Sequence, residues 1–143
     1  MGLRRKSREL ALQFFFGHDF QGKDCDADAL RSELALFTTY FDTGKKSLPY
    51  AEAIILGLCE HWNEIDELLQ RHAHNWRIER MAAVDRNLLR IAAWEMLYND
   101  EVPPQVAINE ALEIAKRYST PDAVGFINGI LDSLHASIKG EAD

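Results

Sequence analysis

Four cations stand close together at the start of the chain, with no acid among them: Arg4, Arg5, Lys6 and Arg8. Because the whole chain carries −7 and these four side chains contribute +4, the remaining residues carry −11. Cations in the first turns of a helix oppose the helix dipole, and their crowding adds repulsion. A sequence that keeps four of them there indicates an anionic partner, and the phosphate backbone of a nucleic acid is the commonest such anion. The alternative is a solvated, frayed terminus.

A large aromatic side chain, Phe126, has an unusual position on the last predicted helix. It lies about 100° away from the apolar stripe of that helix, on a face shared with Asp122, Gly125 and Gly129. An aromatic ring flanked by two glycines would form a stacking platform for an unpaired base. A neighbouring helix could equally cover the ring, and the spacing alone leaves both readings open.

A second aromatic residue, Tyr118, precedes the turn that leads into this helix, with Lys116 and Arg117 beside it. An aromatic pair next to cations is typical of single-stranded RNA recognition, although ordinary helix junctions contain it as well. The apolar stripe of its own helix predicts that Tyr118 points towards the core.

No motif of a known enzyme class occurs in the chain. The phosphate-binding G-x-x-x-x-G-K-[ST], the dinucleotide-binding G-x-G-x-x-G and the nucleophile motif G-x-S-x-G are all missing. The densest histidine region holds His61, His72 and His74, and the last two point in different directions on a helix. We therefore expect no catalytic residues, no metal site and no cofactor.

Helical spacing of apolar residues recurs along the whole chain, whereas alternation with a period of two is absent. A length of 143 residues suits one domain or two small ones. The pattern predicts an all-α protein of six to seven helices, at about 3–16, 26–41, 47–72, 78–81, 84–98, 104–118 and 120–138.

The helix at about 84–98 is apolar nearly all round, which predicts a central position with other helices packed around it. Glu95 falls on its buried face, and a buried carboxylate needs a partner. Arg77, Arg80 and Arg90 are the candidates, and we favour this structural role for Glu95 over a catalytic one.

Other reactive side chains have ordinary interpretations. Glu64, Asp66 and Glu67 indicate a solvated helix face. Cys25 and Cys59 form no C-x-x-C pair, so we expect free thiols and a reducing cytoplasm. The chain also lacks an apolar run long enough to span a membrane, and no apolar segment follows its basic start as in a secretory signal.

Four blocks of sequence, in order along the chain, match the pattern of a known family. They are R-R-K-S-R-E at 4–9, D-R-N-L-L-R-I-A-A-W-E at 85–95, V-A-I-N-E-A at 106–111 after a V-P pair, and F-I-N-G-I-L-D at 126–132. With these blocks the chain resembles the NusB family of transcription antitermination factors. The region 17–73 contributes little to the match beyond its helical pattern and length.

The resemblance implies one all-helical domain over 1–143, made of two small packed bundles at about 1–75 and 76–143. It implies a bacterial, cytoplasmic protein without enzymatic activity. Members pair with NusE, a ribosomal protein of the small subunit. The heterodimer binds the boxA element of single-stranded RNA in ribosomal RNA leaders and joins an antitermination complex on RNA polymerase.

The resemblance also assigns roles to individual positions. Phe16 and Asp85 would face NusE. Asp122 would accept hydrogen bonds from base amino groups, since a carboxylate repels phosphate. The residues implied to contact RNA are Arg4, Arg5, Lys6, Arg8, Lys116, Tyr118, Asp122 and Phe126.

Two departures from the family pattern keep other interpretations open. Residues 14–16 are all phenylalanine, and Trp94 stands where the family usually has tyrosine. An additional exposed phenylalanine would suit self-association, so a protein-binding homodimer module is one alternative. A NusB-like module joined to an RNA methyltransferase is another.

Overall fold

The computed structural model describes residues 2–17, 26–40, 45–74 and 76–142. Two 3-10 turns, Lys45–Ser47 and Ile78–Arg80, precede the third and fourth helices. Across these ranges there is no strand, which confirms the all-α prediction. The helices are α1 (Leu3–Gly17), α2 (Ala27–Tyr40), α3 (Leu48–His72), α4 (Ala83–Tyr98), α5 (Pro104–Tyr118) and α6 (Pro121–Ala142).

Side-chain caps fix where two of these helices begin. The backbone N–H of Ala123 donates to Thr120 Oγ1 at 3.2 Å, and Pro121 occupies the first helical position of α6. The sequence predicts a helix start from these two features. A hydroxyl cap accepts a hydrogen bond from a free backbone N–H of the first turn, and proline has no N–H that would need an acceptor there. Asp26 caps α2 in the same way, accepting from two backbone N–H groups at 3.0 and 3.2 Å.

The chain divides into two compact units, Met1–Trp62 and Asn63–Asp143. The division falls inside α3, next to His61, where the backbone leaves helical geometry with φ −120° and ψ 18°. The division predicted from the resemblance, at about residue 75, lies beyond the end of the same helix.

The core of the first unit is rich in aromatic side chains from α1. Phe14 meets Phe37 of α2 edge to face, with ring centroids 5.9 Å apart, and Phe15 lies 5.8 Å from Trp62. The start of α1 is attached to the 3-10 turn before α3, because the buried hydroxyl Oγ of Ser7 lies 2.9 Å from the carbonyl oxygen of residue 47. These contacts fix the helix that carries the basic residues.

The second unit is built around α4, which packs against α5 and α6. Every residue of α4 from Asn87 to Met96 is buried, including Glu95, which confirms the prediction of a central helix. Ile108 and Ile114 of α5 and Ile127 of α6 complete this core.

An ion pair in the second unit corrects the interpretation of the acidic face on α3. Arg90 of α4 binds Asp66 through two hydrogen bonds, Nε to Oδ1 at 2.7 Å and Nη2 to Oδ2 at 2.9 Å. Its Nη1 also donates to Asn87 Oδ1 at 2.9 Å. Nearby, the hydroxyl of Tyr98 donates to Glu64 Oε2 at 2.8 Å. The expectation of a solvated face was therefore wrong for Asp66, whereas Glu64 and Glu67 are exposed as expected.

Cys59 is buried in α3 and takes part in a disulfide, so the expectation of a free thiol there was wrong. The only other cysteine in the sequence, Cys25, lies outside the described residues. Within the described ranges, no helix has the length and apolar character needed to cross a membrane.

Candidate nucleic-acid interface

A cleft of about 610 Å³ opens in the second unit. It is formed by the segment between α3 and α4 together with the first turns of α4 and α6. Aromatic, cationic and acidic side chains all contribute to its wall, and they include Trp76, Arg77, Arg80, Asp85, Asp122 and Phe126.

The aromatic part of the cleft is a pair of rings. Phe126 of α6 is half-buried, and its ring centroid lies 5.0 Å from that of Trp76, with the two planes inclined by 65°. Trp76 is 59% exposed. Gly125 and Gly129 are exposed, and a Cβ placed on either would meet no atom within 4 Å beyond the neighbouring residues and backbone of its own helix. The ring of Phe126 thus contacts a loop side chain, Trp76, and the surface at the two neighbouring glycines is open. This favours a stacking platform for a base over a ring covered by another helix.

Two cations stand beside this pair on the segment that leads into α4. The side chains of Arg77 and Arg80 are exposed. Arg77 Nη1 lies 3.6 Å from Glu79 Oε1, an exposed ion pair of little energetic weight. Both guanidinium groups are placed to meet a phosphate or to stack on a base that enters the cleft.

Two carboxylates share the cleft wall, and they differ in exposure. Asp122 is exposed in the first turn of α6. Asp85 is buried and accepts a hydrogen bond of 2.6 Å from the hydroxyl of Ser119, the residue that follows α5. Asp85, which the resemblance implies to face the partner, therefore lies in the wall of the cleft. Its hydrogen bond to Ser119 connects the start of α4 to the turn before α6.

Tyr118 is 43% exposed at the end of α5, so the prediction that it points towards the core was wrong. The guanidinium of Arg117 lies 5.9 Å from the centroid of its ring. Lys116 is also exposed and forms an ion pair of 3.1 Å with Glu113. Neither Tyr118 nor Lys116 belongs to the lining of the cleft.

The basic residues of α1 lie in the first unit and have unequal environments. Lys6 is exposed, Arg4 and Arg5 are half-buried, and Arg8 is only 3% exposed. The guanidinium groups of Arg4 and Arg8 lie 5.0 and 5.9 Å from the ring centroid of Tyr50, within cation–π range. Arg8 is therefore the least accessible of the four cations that the resemblance implies to contact RNA. Phe16, at the other end of α1, is 52% exposed.

No cluster of three or more histidine, cysteine, aspartate or glutamate side chains suits a metal ion in the part of the chain that the structure describes. His72 instead has a hydrogen-bonded environment, with Nδ1 2.7 Å from Ser133 Oγ of α6. Burial lowers the pKa of His72, and the charges of His74 and Arg71 lower it further.

Sequence reasoning missed Trp76, Arg77 and Arg80 as candidates for the interface. The signal was one tryptophan and two arginines within five residues, just before and within the short helix predicted at about 78–81. Helical periodicity gives no information on such a segment, because its side-chain directions depend on a loop conformation.

These features define a small all-helical protein with an aromatic and charged cleft in its second unit. A model of the NusB family matches residues 5–136, so the chain belongs to the NusB family.

Individual relatives agree with this assignment. The transcription antitermination protein NusB of Desulfosudis oleivorans is 43% identical over 145 residues, covering 100% of this chain and 92% of that protein. The structure of T. maritima NusB is 37% identical with a TM-score of 0.76, covering 92% of this chain and 89% of that one. A chain in the crystal structure of antitermination factors NusB and NusE in complex with dsRNA shares the fold, with a TM-score of 0.77 at 21% identity over 94% of this chain and 97% of that one.

Proposed function

We propose that the chain is a transcription antitermination factor that binds boxA-type single-stranded RNA of ribosomal RNA leaders together with NusE. Family membership supports the proposal, as does the name of the 43% identical relative. The observation that carries it is the cleft in which Trp76 and Phe126 lie 5.0 Å apart with Arg77 and Arg80 beside them.

The mechanism is one of positioning, with no chemical step and no cofactor. Aromatic rings stack on unpaired bases regardless of base identity, and cations neutralise the phosphates between them. We assign stacking to Trp76 and Phe126, with Tyr118 as a further aromatic contact. Phosphate contacts are assigned to Arg77, Arg80, Lys116, Arg4, Arg5 and Lys6. Arg8 is buried beside Tyr50, so we assign it a supporting role in α1 in place of the implied RNA contact.

The two acids of the cleft have separate roles in the proposal. Asp122 is exposed and accepts hydrogen bonds from base amino groups, which makes it a specificity element. Asp85 is buried against Ser119 and keeps the turn before α6 in place. Of the two positions implied to face NusE, Phe16 is therefore the stronger candidate, because its ring is exposed.

The net charge of −7 predicts weak RNA binding by the chain alone and a need for NusE. We further propose a place in the antitermination complex on RNA polymerase, and a cytoplasmic location that follows from this role. The disulfide at Cys59 is a feature that few proteins of that compartment share. The alternative to a contact between Phe16 and NusE is self-association of the chain through the same exposed ring.

The test is the affinity of fluorescently labelled boxA-type RNA, measured by anisotropy with and without NusE. Removing one stacked base contact costs about 1–3 kcal/mol, so Phe126→Ala weakens binding by about 5- to 150-fold. Lys6→Glu weakens it by repulsion of phosphate. Phe16→Ala serves as the control, since it leaves binding of RNA alone unchanged and weakens only the NusE-dependent part.

Three outcomes would contradict parts of the proposal. Unchanged binding by Phe126→Ala would remove the cleft from the RNA site. Equal RNA affinity with and without NusE would refute the need for a partner. Absence of RNA binding under every condition, together with a stable homodimer that Phe16→Ala dissociates, would favour the protein-binding module instead.

A further inference from the structure

We propose that Gln70, near the end of α3, is a positioning residue that holds Trp76 at the cleft and thereby contributes to RNA affinity without touching RNA. The inference rests on the proposed function, in which Trp76 stacks on a base. Gln70 is an exposed glutamine on a helix, and neither its residue type nor its position in the sequence suggests a role in RNA binding.

Both ends of the Gln70 amide are bound to the segment that carries Trp76. Nε2 donates to the carbonyl oxygen of Trp76 at 2.6 Å and lies 3.4 Å from that of Ala73. Oε1 accepts from the backbone N–H of Ile78 at 3.0 Å. One side chain thus connects backbone groups before, at and after the tryptophan.

The described residues of this segment are also held by short-range backbone hydrogen bonds. It lies between the end of α3 and the 3-10 turn Ile78–Arg80, and its backbone hydrogen bonds include Ala73 N–H to Gln70 O at 3.3 Å and Trp76 N–H to Ala73 O at 3.0 Å. Trp76 is 59% exposed, and its ring packs against that of Phe126. Ile78 is buried and anchors the far end of the segment. The Gln70 amide fixes the carbonyl of Trp76 relative to that anchor.

A side chain that is already fixed in its binding conformation loses less freedom when the ligand arrives. Without the amide, Trp76 would sample other conformations, and RNA would have to restrict them again. The role requires glutamine in particular, since the amide supplies a donor and an acceptor together. Glutamate keeps the acceptor for Ile78 and loses the donor for Trp76, and methionine keeps the length and loses both.

The test is a double-mutant cycle with labelled boxA-type RNA in the presence of NusE. The variants are Gln70→Met, Trp76→Ala and the double variant. Ordering one freed side chain costs a factor of about 2 to 10 in affinity, so Gln70→Met weakens binding by that factor. In the Trp76→Ala background the same substitution changes nothing, because the side chain that it positions is gone.

Tryptophan fluorescence gives a readout that does not depend on RNA. Trp62 and Trp94 are buried, whereas Trp76 is exposed, so acrylamide quenching reports chiefly on Trp76. Gln70→Met increases the quenching and lowers the steady-state anisotropy, while the melting temperature stays near that of the wild type. Gln105→Met is the matched control, since Gln105 is an exposed glutamine that donates to Asn109 Oδ1 at 3.1 Å within α5.

The outcomes separate this inference from the proposed function. If Trp76→Ala binds RNA as the wild type does, the proposed role of the cleft fails. If Trp76→Ala weakens binding and Gln70→Met does not, or weakens it equally in both backgrounds, only the role of Gln70 is overturned. Should Gln70→Met fail to fold, Gln70→Glu decides in its place, because it retains the bond to Ile78 and loses only the donor to Trp76.

Discussion

The ion pair between Arg90 and Asp66 yields a quantitative prediction for the stability of the second unit. The Arg90 side chain is 10% exposed and that of Asp66 is 30% exposed. Removing one partner of a buried pair costs about 3–5 kcal/mol, because the other charge stays buried without compensation. Since Asp66 is partly open to solvent, water reaches the guanidinium once the carboxylate is gone. We therefore expect the lower end, about 3 kcal/mol, for Asp66→Ala.

The effects of the two partners should be unequal. In Arg90→Met the remaining carboxylate of Asp66 can be solvated, and the main cost is the buried Oδ1 of Asn87, which loses its donor. One unsatisfied acceptor costs about 1–3 kcal/mol, so this substitution should destabilise no more than Asp66→Ala does. The double variant should be more stable than Asp66→Ala alone, because it no longer buries a guanidinium that has lost the carboxylate of Asp66.

Urea unfolding followed by circular dichroism measures these differences. With a slope of about 2 kcal/mol per molar urea, a loss of about 3 kcal/mol lowers the midpoint by about 1.5 M. Glu67→Ala is the control, since it removes an exposed carboxylate from the next position of the same helix. A midpoint for Asp66→Ala equal to that of Glu67→Ala would refute the reasoning.

Three further predictions concern other sites. Ser7→Ala removes the hydroxyl that donates to the buried carbonyl of Ser47, and should lower the free energy of unfolding by about 1–2 kcal/mol. Ser32→Ala removes an exposed hydroxyl from α2, and an equally small effect of Ser7→Ala would contradict this prediction. The pKa of His72 lies below its ordinary value because burial disfavours the cation, so protonation favours the unfolded state and stability falls as the pH drops below about 6.5. His72→Gln should lack this part of the pH dependence in urea unfolding at pH 7.5 and 5.5, and identical profiles would argue against it. Lys6→Ala should reduce the slope of log affinity against log salt by about 0.7 in RNA titrations, and an unchanged slope would show that Lys6 contacts no phosphate.

The sequence predicted the features that depend on local pattern. The burial of α4 follows from apolar residues on every face, and the start of α6 follows from a hydroxyl before a proline. Phe126 was placed off the apolar stripe because helix geometry fixes the relative directions of its residues. Each of these inferences uses residues within a few turns of one another.

The features that sequence reasoning missed depend on distant contacts or on a loop. The sequence around Asp66 is that of a solvated helix face, but in the structure Asp66 binds Arg90, which is 24 positions away. Arg8 had the pattern of an exposed cation, yet Tyr50 covers it from another helix. The direction of Trp76 depends on hydrogen bonds from Gln70 to a segment without helical periodicity. Such partners are set by tertiary packing, which periodicity does not encode.

The charge balance of the cleft decides which force holds RNA there. Arg77 and Arg80 line the cleft together with Asp85 and Asp122, so two cations and two carboxylates offset one another in its lining. Counterion release from phosphates therefore contributes little at this site, and stacking on Trp76 and Phe126 must supply most of the affinity. Stacking depends weakly on salt. Removing either ring should thus lower the affinity by a similar factor at low and at high salt, whereas the contribution of the cations on α1 should fade as salt rises.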